Sequence, residues 1–186
     1  MKKKIMLRVK KVYFHLFGKI HNVINVRNYM KHYTKYLRQL GIKIQGTPGY
    51  ISSDAYFDSH FYGAISIGSE VTISREVMVL CHDYSIVQGL KSIGKYDYKI
   101  ETGIPHAMGG VTIGNNCFIG ARVSLLPGTI IGDNCIIGAC SVVKGNIPDN
   151  SIVVGNPGKV VADTREWALK KLNNGKFSLS KNYNNN

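Results

Sequence analysis

Between Val111 and Pro148 the chain repeats itself every six residues. Ile113, Ile119, Leu125, Ile131, Ile137 and Val143 fall in one register, and two places before each stands a second small or apolar residue: Val111, Cys117, Val123, Thr129, Cys135 and Ser141. Gly114, Gly120, Gly132 and Gly138 follow four of the six. A helix would smear such a repeat around its axis. A plain strand alternates every two residues and has no use for glycine every six. A coil of short strands does account for it. Each hexad supplies one strand with two inward residues, and glycine or asparagine takes the corner, where φ is often positive. The chain is therefore expected to fold as an all-β solenoid.

At 186 residues there is room for one domain with an appended element. No run of about 18 apolar residues occurs, so no spanning helix is expected. The basic N-terminus is not followed by the apolar run and cleavage site of a secretory signal. Charge is unevenly placed: residues 1–53 hold twelve of the 24 Lys and Arg and no acidic residue, which puts most of the net +13 there. Four cysteines without a C-x-x-C pair give neither a disulfide framework nor a structural zinc site. Cys117 and Cys135 take inward slots as small hydrophobes, and a reducing, cytoplasmic compartment fits.

Residues 1–45 read as a basic helical segment. Ile5, Val9, Val12, Leu16, Ile20 and Val23 recur at helical spacing. Val26, Tyr29, Met30, Tyr33, Leu37 and Leu40 continue the pattern after a break near Asn25, with Gly41 as the stop. Such a segment packs on the repeat domain or a neighbouring subunit, or it rests on an anionic membrane surface through residues 1–40. No nucleic-acid motif accompanies it. The repeat domain is expected over 46–162, its hexads beginning at Ile65 and Ile67, Val71 and Ile73, Val77 and Val79. The distance from Val79 to Ile113 is not a multiple of six, so residues 84–110, polar and tyrosine-rich, should leave the solenoid as an extruded loop. Residues 163–186 should form a short helix, with Trp167 and Leu169, that caps the open end, and then a frayed tail.

These residues resemble a known family. Ile113-Gly114-Asn115-Asn116, Ile131-Gly132-Asp133-Asn134, Ile137-Gly138-Ala139 through Val143, Ile147-Pro148-Asp149-Asn150 and Gly155-Asn156-Pro157-Gly158-Lys159 are similar to hexapeptide-repeat acyltransferases. The nearer likeness is to the sugar O-acetyltransferases of the maltose, galactoside, nodulation and capsule-related types, and it covers about Ile65 to Val161. The resemblance implies a left-handed parallel β-helix with three hexads per coil. It also implies a homotrimer, acetyl-CoA as acyl donor with no metal, and a saccharide acceptor from surface or capsular polysaccharide synthesis.

Acyl transfer from a thioester to a hydroxyl needs a base, and histidine titrates near the working pH. His60, His82 and His106 lie near the repeats, whereas His15, His21 and His32 belong to the basic segment. His82 ends the first array, where the loop leaves, and the resemblance puts the family's general base at this Leu-x-His-Asp position. Asp83 is a candidate for orienting the imidazole or touching the acceptor, although adjacent side chains on a strand point apart. Asp54 and Asp58 lie where the sugar enzymes bind acceptor hydroxyls. Ala121 and Ala139 match family positions along the pantetheine arm, and Lys144 and Lys159 match the region that meets the CoA phosphates. Lys144 stands one place earlier than the family's usual lysine, and Phe118 replaces a common tryptophan. Four alternatives share the scaffold: a serine acetyltransferase type with His60 as base, an antibiotic acetyltransferase, a zinc carbonic anhydrase that needs three histidines, and a non-catalytic interaction solenoid.

Overall fold

The computed structural model describes residues 5–10, 12–14, 16–17, 25–97, 104 and 106–175. Within them the hexads wind as a three-sided parallel coil. Helix α1 (Val26–Leu40) leads into the first coil, β1 (Lys43–Ile44), β2 (Tyr50–Ile51) and β3 (Tyr56–Phe57). A 3-10 turn, Tyr62–Ala64, leads to β4 (Ile65–Ile67), β5 (Thr72–Ile73) and β6 (Met78–Val79). An excursion follows, with β7 (His82–Asp83), α2 (Ile86–Ser92) and β8 (Ala107–Met108). The winding resumes with β9 (Val111–Ile113), β10 (Phe118–Ile119), β11 (Ser124–Leu125), β12 (Ile130–Ile131), β13 (Ile136–Ile137), β14 (Val142–Val143) and β15 (Asn146–Ile147). It closes on β16 (Ser151–Val154), β17 (Lys159–Asp163) and helix α3 (Thr164–Asn173).

Three sheets form the sides. Sheet I runs β1-β4-β9-β12-β15, sheet II runs β2-β5-β10-β13-β16-β17, and sheet III runs β3-β6-β11-β14. Every pairing in them is parallel except β16 with β17. One coil thus begins at Lys43, before the hexads are visible in the sequence. The excursion leaves between sheets III and I, and β7 and β8 pair antiparallel at its base, His82 opposite Met108.

Both inward positions of each hexad are filled as the pattern implies. Ile113, Ile119, Leu125, Ile131, Ile137 and Val143 are buried, and so are Val111, Cys117, Val123, Thr129, Cys135 and Ser141. The polar members carry their own partners: the Thr129 hydroxyl donates to the Val143 carbonyl at 3.0 Å, and the Ser141 hydroxyl donates to that of Gly138 at 2.7 Å.

The hexad glycines serve a different purpose from the one expected. Positive φ falls two residues later, on Asn116, Arg122, Asn134 and Cys140. Gly114 and Gly120 are required by close stacking instead: a Cβ on Gly114 would lie 2.6 Å from the Gly132 backbone, and one on Gly120 would lie 2.6 Å from the Ala139 nitrogen. Side-chain amides staple the edge between sheets I and II. Asn116 Nδ2 donates to Asn134 Oδ1 at 2.9 Å, and Asn134 Nδ2 donates to Asn150 Oδ1 at 3.2 Å.

A solenoid leaves unpaired strand groups at each end. At the first coil α1 covers them. It starts at an Asn25 cap, stops at Gly41 in the left-handed region (φ 113°), and buries Tyr29, Met30, Tyr33, Tyr36 and Leu37. The Tyr29 hydroxyl donates to the Ile51 carbonyl at 2.9 Å, Met30 Sδ accepts from the Ile51 N–H at 3.3 Å, and Arg38 donates to the carbonyls of Ile44 and Gly46. Burial pushes the Tyr29 phenol upward, so it stays a donor. Removing it in Tyr29→Phe leaves a buried carbonyl unpaired, which costs about 1 kcal/mol. The expected fall in Tm is about 2–4 °C for a chain of this size, read by thermal melting. The other end differs from expectation. α3 forms, capped by Asp163, but none of its residues is buried, and Trp167 and Leu169 stay exposed, so it does not cap the solenoid of this chain. The expected tail beyond residue 175 lies outside the described residues, as do His15 and the whole stretch 18–24, with His21.

Candidate active site

The edge between sheets III and I gathers the chemistry. In the first coil it carries Asp58, directly after β3. In the second it carries His82, where the excursion leaves β6. Asp58 is fully buried, and its Oδ2 accepts both the Cys81 N–H, at 3.0 Å, and the Nδ1–H of His82. This contact fixes the imidazole: with the proton on Nδ1, Nε2 carries the free lone pair. The His82 side chain remains 21% exposed, so Nε2 can reach an incoming group.

Aromatic rings wall the histidine. Phe61 lies 5.2 Å from the His82 ring by centroids, and Tyr84 meets it edge-on at 4.9 Å. His106, returning on the excursion, lies 5.1 Å from Tyr84 and 6.1 Å from Phe61, and its Nδ1–H donates to the Ile104 carbonyl at 3.1 Å. Neither Phe61 nor Tyr84 was singled out from the sequence, since repeat spacing says nothing about residues off the coil.

The expected acceptor carboxylates lie elsewhere or do other work. Asp58 cannot meet an acceptor hydroxyl, because it is buried behind His82. Asp83 does not orient the imidazole. It points away along β7 and accepts the Ser85 N–H at 2.8 Å, and that hydrogen bond holds its carboxyl below the usual range. Asp54 sits on the other edge, between sheets II and III, bonded to the Ser52 hydroxyl at 2.5 Å and to Arg75 at 3.4 Å. His60 is exposed, its ring 6.5 Å from Phe61, while the buried carboxylate faces His82 instead.

Ala121 and Ala139 stack on that II–III edge in consecutive coils, linked by the Cys140 N–H donating to the Ala121 carbonyl at 2.9 Å. Ala121 is half-buried and Ala139 exposed. Small side chains here leave the edge open to a slender ligand, so the column fits the pantetheine arm of coenzyme A. Lys144 and Lys159 are exposed and free to meet phosphate. Lys144 shares the edge of His82, and its charge helps to keep Asp83 ionised. One chain therefore keeps His82 and the alanine column on different edges, separated by sheet III. Among the described residues no group of three His, Cys, Asp or Glu is arranged to hold a metal ion.

Comparison with known proteins adds to this geometry. The family described as bacterial transferase hexapeptide (six repeats) matches residues 110–145. Protein CapG of Staphylococcus aureus is 35% identical over 149 residues, 80% of this chain and 81% of that protein. The chain belongs to the hexapeptide-repeat acyltransferases. With that membership comes the left-handed winding attached to the family above. A second relative of the hexapeptide-repeat acyltransferases is WbbJ of Escherichia coli (strain K12), provisionally named a lipopolysaccharide biosynthesis O-acetyl transferase. It is 32% identical over 113 residues, 56% of this chain and 55% of that protein. The fold is shared with a hexapeptide-repeat acetyltransferase from Vibrio cholerae solved with acetyl coenzyme A. That likeness has a TM-score of 0.51 at 20% identity and covers 67% of this chain and 61% of the other.

Proposed function

We propose that the protein is an acetyl-CoA-dependent O-acetyltransferase that modifies a saccharide hydroxyl in surface or capsular polysaccharide synthesis. The observation that carries this reading is the pair of a buried Asp58 and a partly exposed His82 at the solenoid edge where the excursion leaves. Acetyl-CoA supplies the acetyl group as an activated thioester. Nε2 of His82 takes the proton of the acceptor hydroxyl as that oxygen bonds to the acyl carbon. The C–S bond breaks, and the imidazolium returns the proton to the departing thiolate. Asp58 keeps the ring oriented and stabilises its charged form, as a positioning residue. Tyr84, Phe61 and His106 line the acceptor side, and Asp83, on the edge of His82, is left for an acceptor contact away from the proton transfer.

Thiol release from acetyl-CoA in the presence of saccharide acceptors, with mass detection of an O-acetyl product, tests the activity. Release with no acetylated saccharide would sink it. The separation of His82 from Ala121 and Ala139 favours a homotrimer in which the alanine column of one copy meets the His82 edge of the next. Mixed assemblies of His82→Ala and Ala139→Trp chains should then regain activity that neither variant shows alone. If mixing restores nothing, the shared site is wrong.

The basic segment 1–40 favours a cytoplasmic enzyme held at the inner membrane face. Among the described residues no helix is long and apolar enough to cross a membrane. Flotation with phosphatidylglycerol vesicles, with and without residues 1–17, checks the surface attachment; equal flotation would refute it.

A further inference from the structure

A cavity of about 540 Å³ opens between the N-terminal segment, α1 and the first coil. Its wall is almost wholly apolar, with Phe14 and Leu16 from the segment, Leu37 and Leu40 from α1, and Phe57 and Tyr62 from the coil. Volumes of this order suit a ligand buried for most of its surface. The wall is unsuited to a sugar. Asp54, at its rim, already accepts from Ser52 and Arg75, and a saccharide placed here would leave most hydroxyls unpaired.

The cavity lies next to the candidate site. Phe57 directly precedes Asp58, the carboxylate that holds His82. Tyr62 directly follows Phe61, whose ring lies 5.2 Å from that of His82. The Phe57–Tyr62 corner therefore has an apolar cavity on one side and the proton-transfer pair on the other. The covering segment has a fitting surface. Phe14 is buried against Tyr33 and Tyr36, while Ile5, Met6, Val9, Tyr13 and Phe17 are 43–63% exposed. With twelve Lys and Arg and no acidic residue in residues 1–53, that surface complements an anionic headgroup.

We propose that the saccharide acceptor is carried on an apolar chain, and that the start of this chain enters the cavity while the sugar reaches His82 around the Phe57–Tyr62 corner. This rests on the saccharide-acceptor reading above and narrows it to amphiphilic, lipid-linked acceptors. A water-soluble sugar would leave the cavity unused.

Two measurements test it. In the first, butyl, hexyl and octyl glucosides, each below its micelle concentration, are titrated calorimetrically into the full-length protein. The Kd should tighten about tenfold for every two methylenes buried. Leu16→Asp puts a charge on an exposed part of the wall, and Ala55→Phe fills the cavity from the coil. Both should flatten the series with unchanged melting, and His82→Ala should keep it. A flat series in the unmodified protein, or one that survives in both wall variants, overturns the proposal. So does a change of assembly mass in Leu16→Asp by light scattering, which would make the cavity a contact between copies.

In the second, membranes of the source organism are incubated with the enzyme and acetyl-labelled CoA, then partitioned between butanol and water. Label should enter the butanol phase and move to water after mild acid cleavage of the sugar from its carrier. Label only in water-soluble saccharide overturns the lipid-linked acceptor and leaves acetyl transfer intact. Label that stays in butanol after cleavage marks a bulk lipid and overturns it as well. Label in neither phase defeats acetyl transfer itself, and the proposal with it.

Discussion

Replacing His82 with asparagine is expected to slow acetyl transfer by roughly 10²–10⁴-fold, the usual contribution of a positioned general base. The choice of asparagine matters. Its side-chain amide can donate to Asp58 much as Nδ1–H of His82 does, while offering no group that takes a proton at neutral pH. His82→Ala should lose as much activity and also melt earlier, because it leaves a buried carboxylate with only the Cys81 N–H. Comparing kcat and Tm for the two variants separates chemistry from stability. Undiminished kcat in His82→Asn would remove His82 from the mechanism.

Asp58→Asn is the second large effect. The shape is kept, but the Cys81 N–H and Nδ1 of His82 meet the same carboxylate oxygen, so the amide can present only one of its ends to both. With its oxygen there, it accepts from both but lacks the charge that stabilises the imidazolium; with its nitrogen there, it donates to Nδ1 and moves the ring proton to Nε2, removing the lone pair that accepts from substrate. We expect kcat to fall by about 10²–10⁴-fold, the order seen when a buried carboxylate partner of a catalytic imidazole is neutralised, with little change in KM. The double variant with His82→Asn should be scarcely slower than either single one, because the pair acts as a unit. If Asp58→Asn raises KM at constant kcat, Asp58 belongs to acceptor binding after all.

The fold was legible where each residue's role depends on spacing. The inward slots from Val111 to Val143 could be read directly, because strand partners there lie 18 residues apart, as Ile119 and Ile137 do. In the first coils the partners Phe57 and Val79 lie 22 apart, since the 3-10 turn at Tyr62–Ala64 lengthens one corner. The period therefore breaks, and with it any hint that Asp58 lies beneath His82. His82 itself stood out as the last residue of a regular array. Phe61 and Tyr84 did not, because one lies in the lengthened corner and the other on an aperiodic excursion, where spacing says nothing about approach. The exposed helix α3 departs from the expected cap for another reason. Its apolar residues look like a cap in sequence, yet β17 turns back antiparallel on β16 and no residue of the helix that follows is buried.

The antiparallel pair β7–β8 has a consequence for how such a protein can diversify. The excursion departs and returns through neighbouring strands, so its two ends are pinned whatever lies between them. Lengthening a closed loop costs only about 0.6 kcal/mol per doubling, and the coils above and below keep their register. The stretch between Asp83 and Ala107 is thus a cassette. Exchanging it for the corresponding insert of a relative should retarget the acceptor while the winding, the histidine and its aspartate stay as they are.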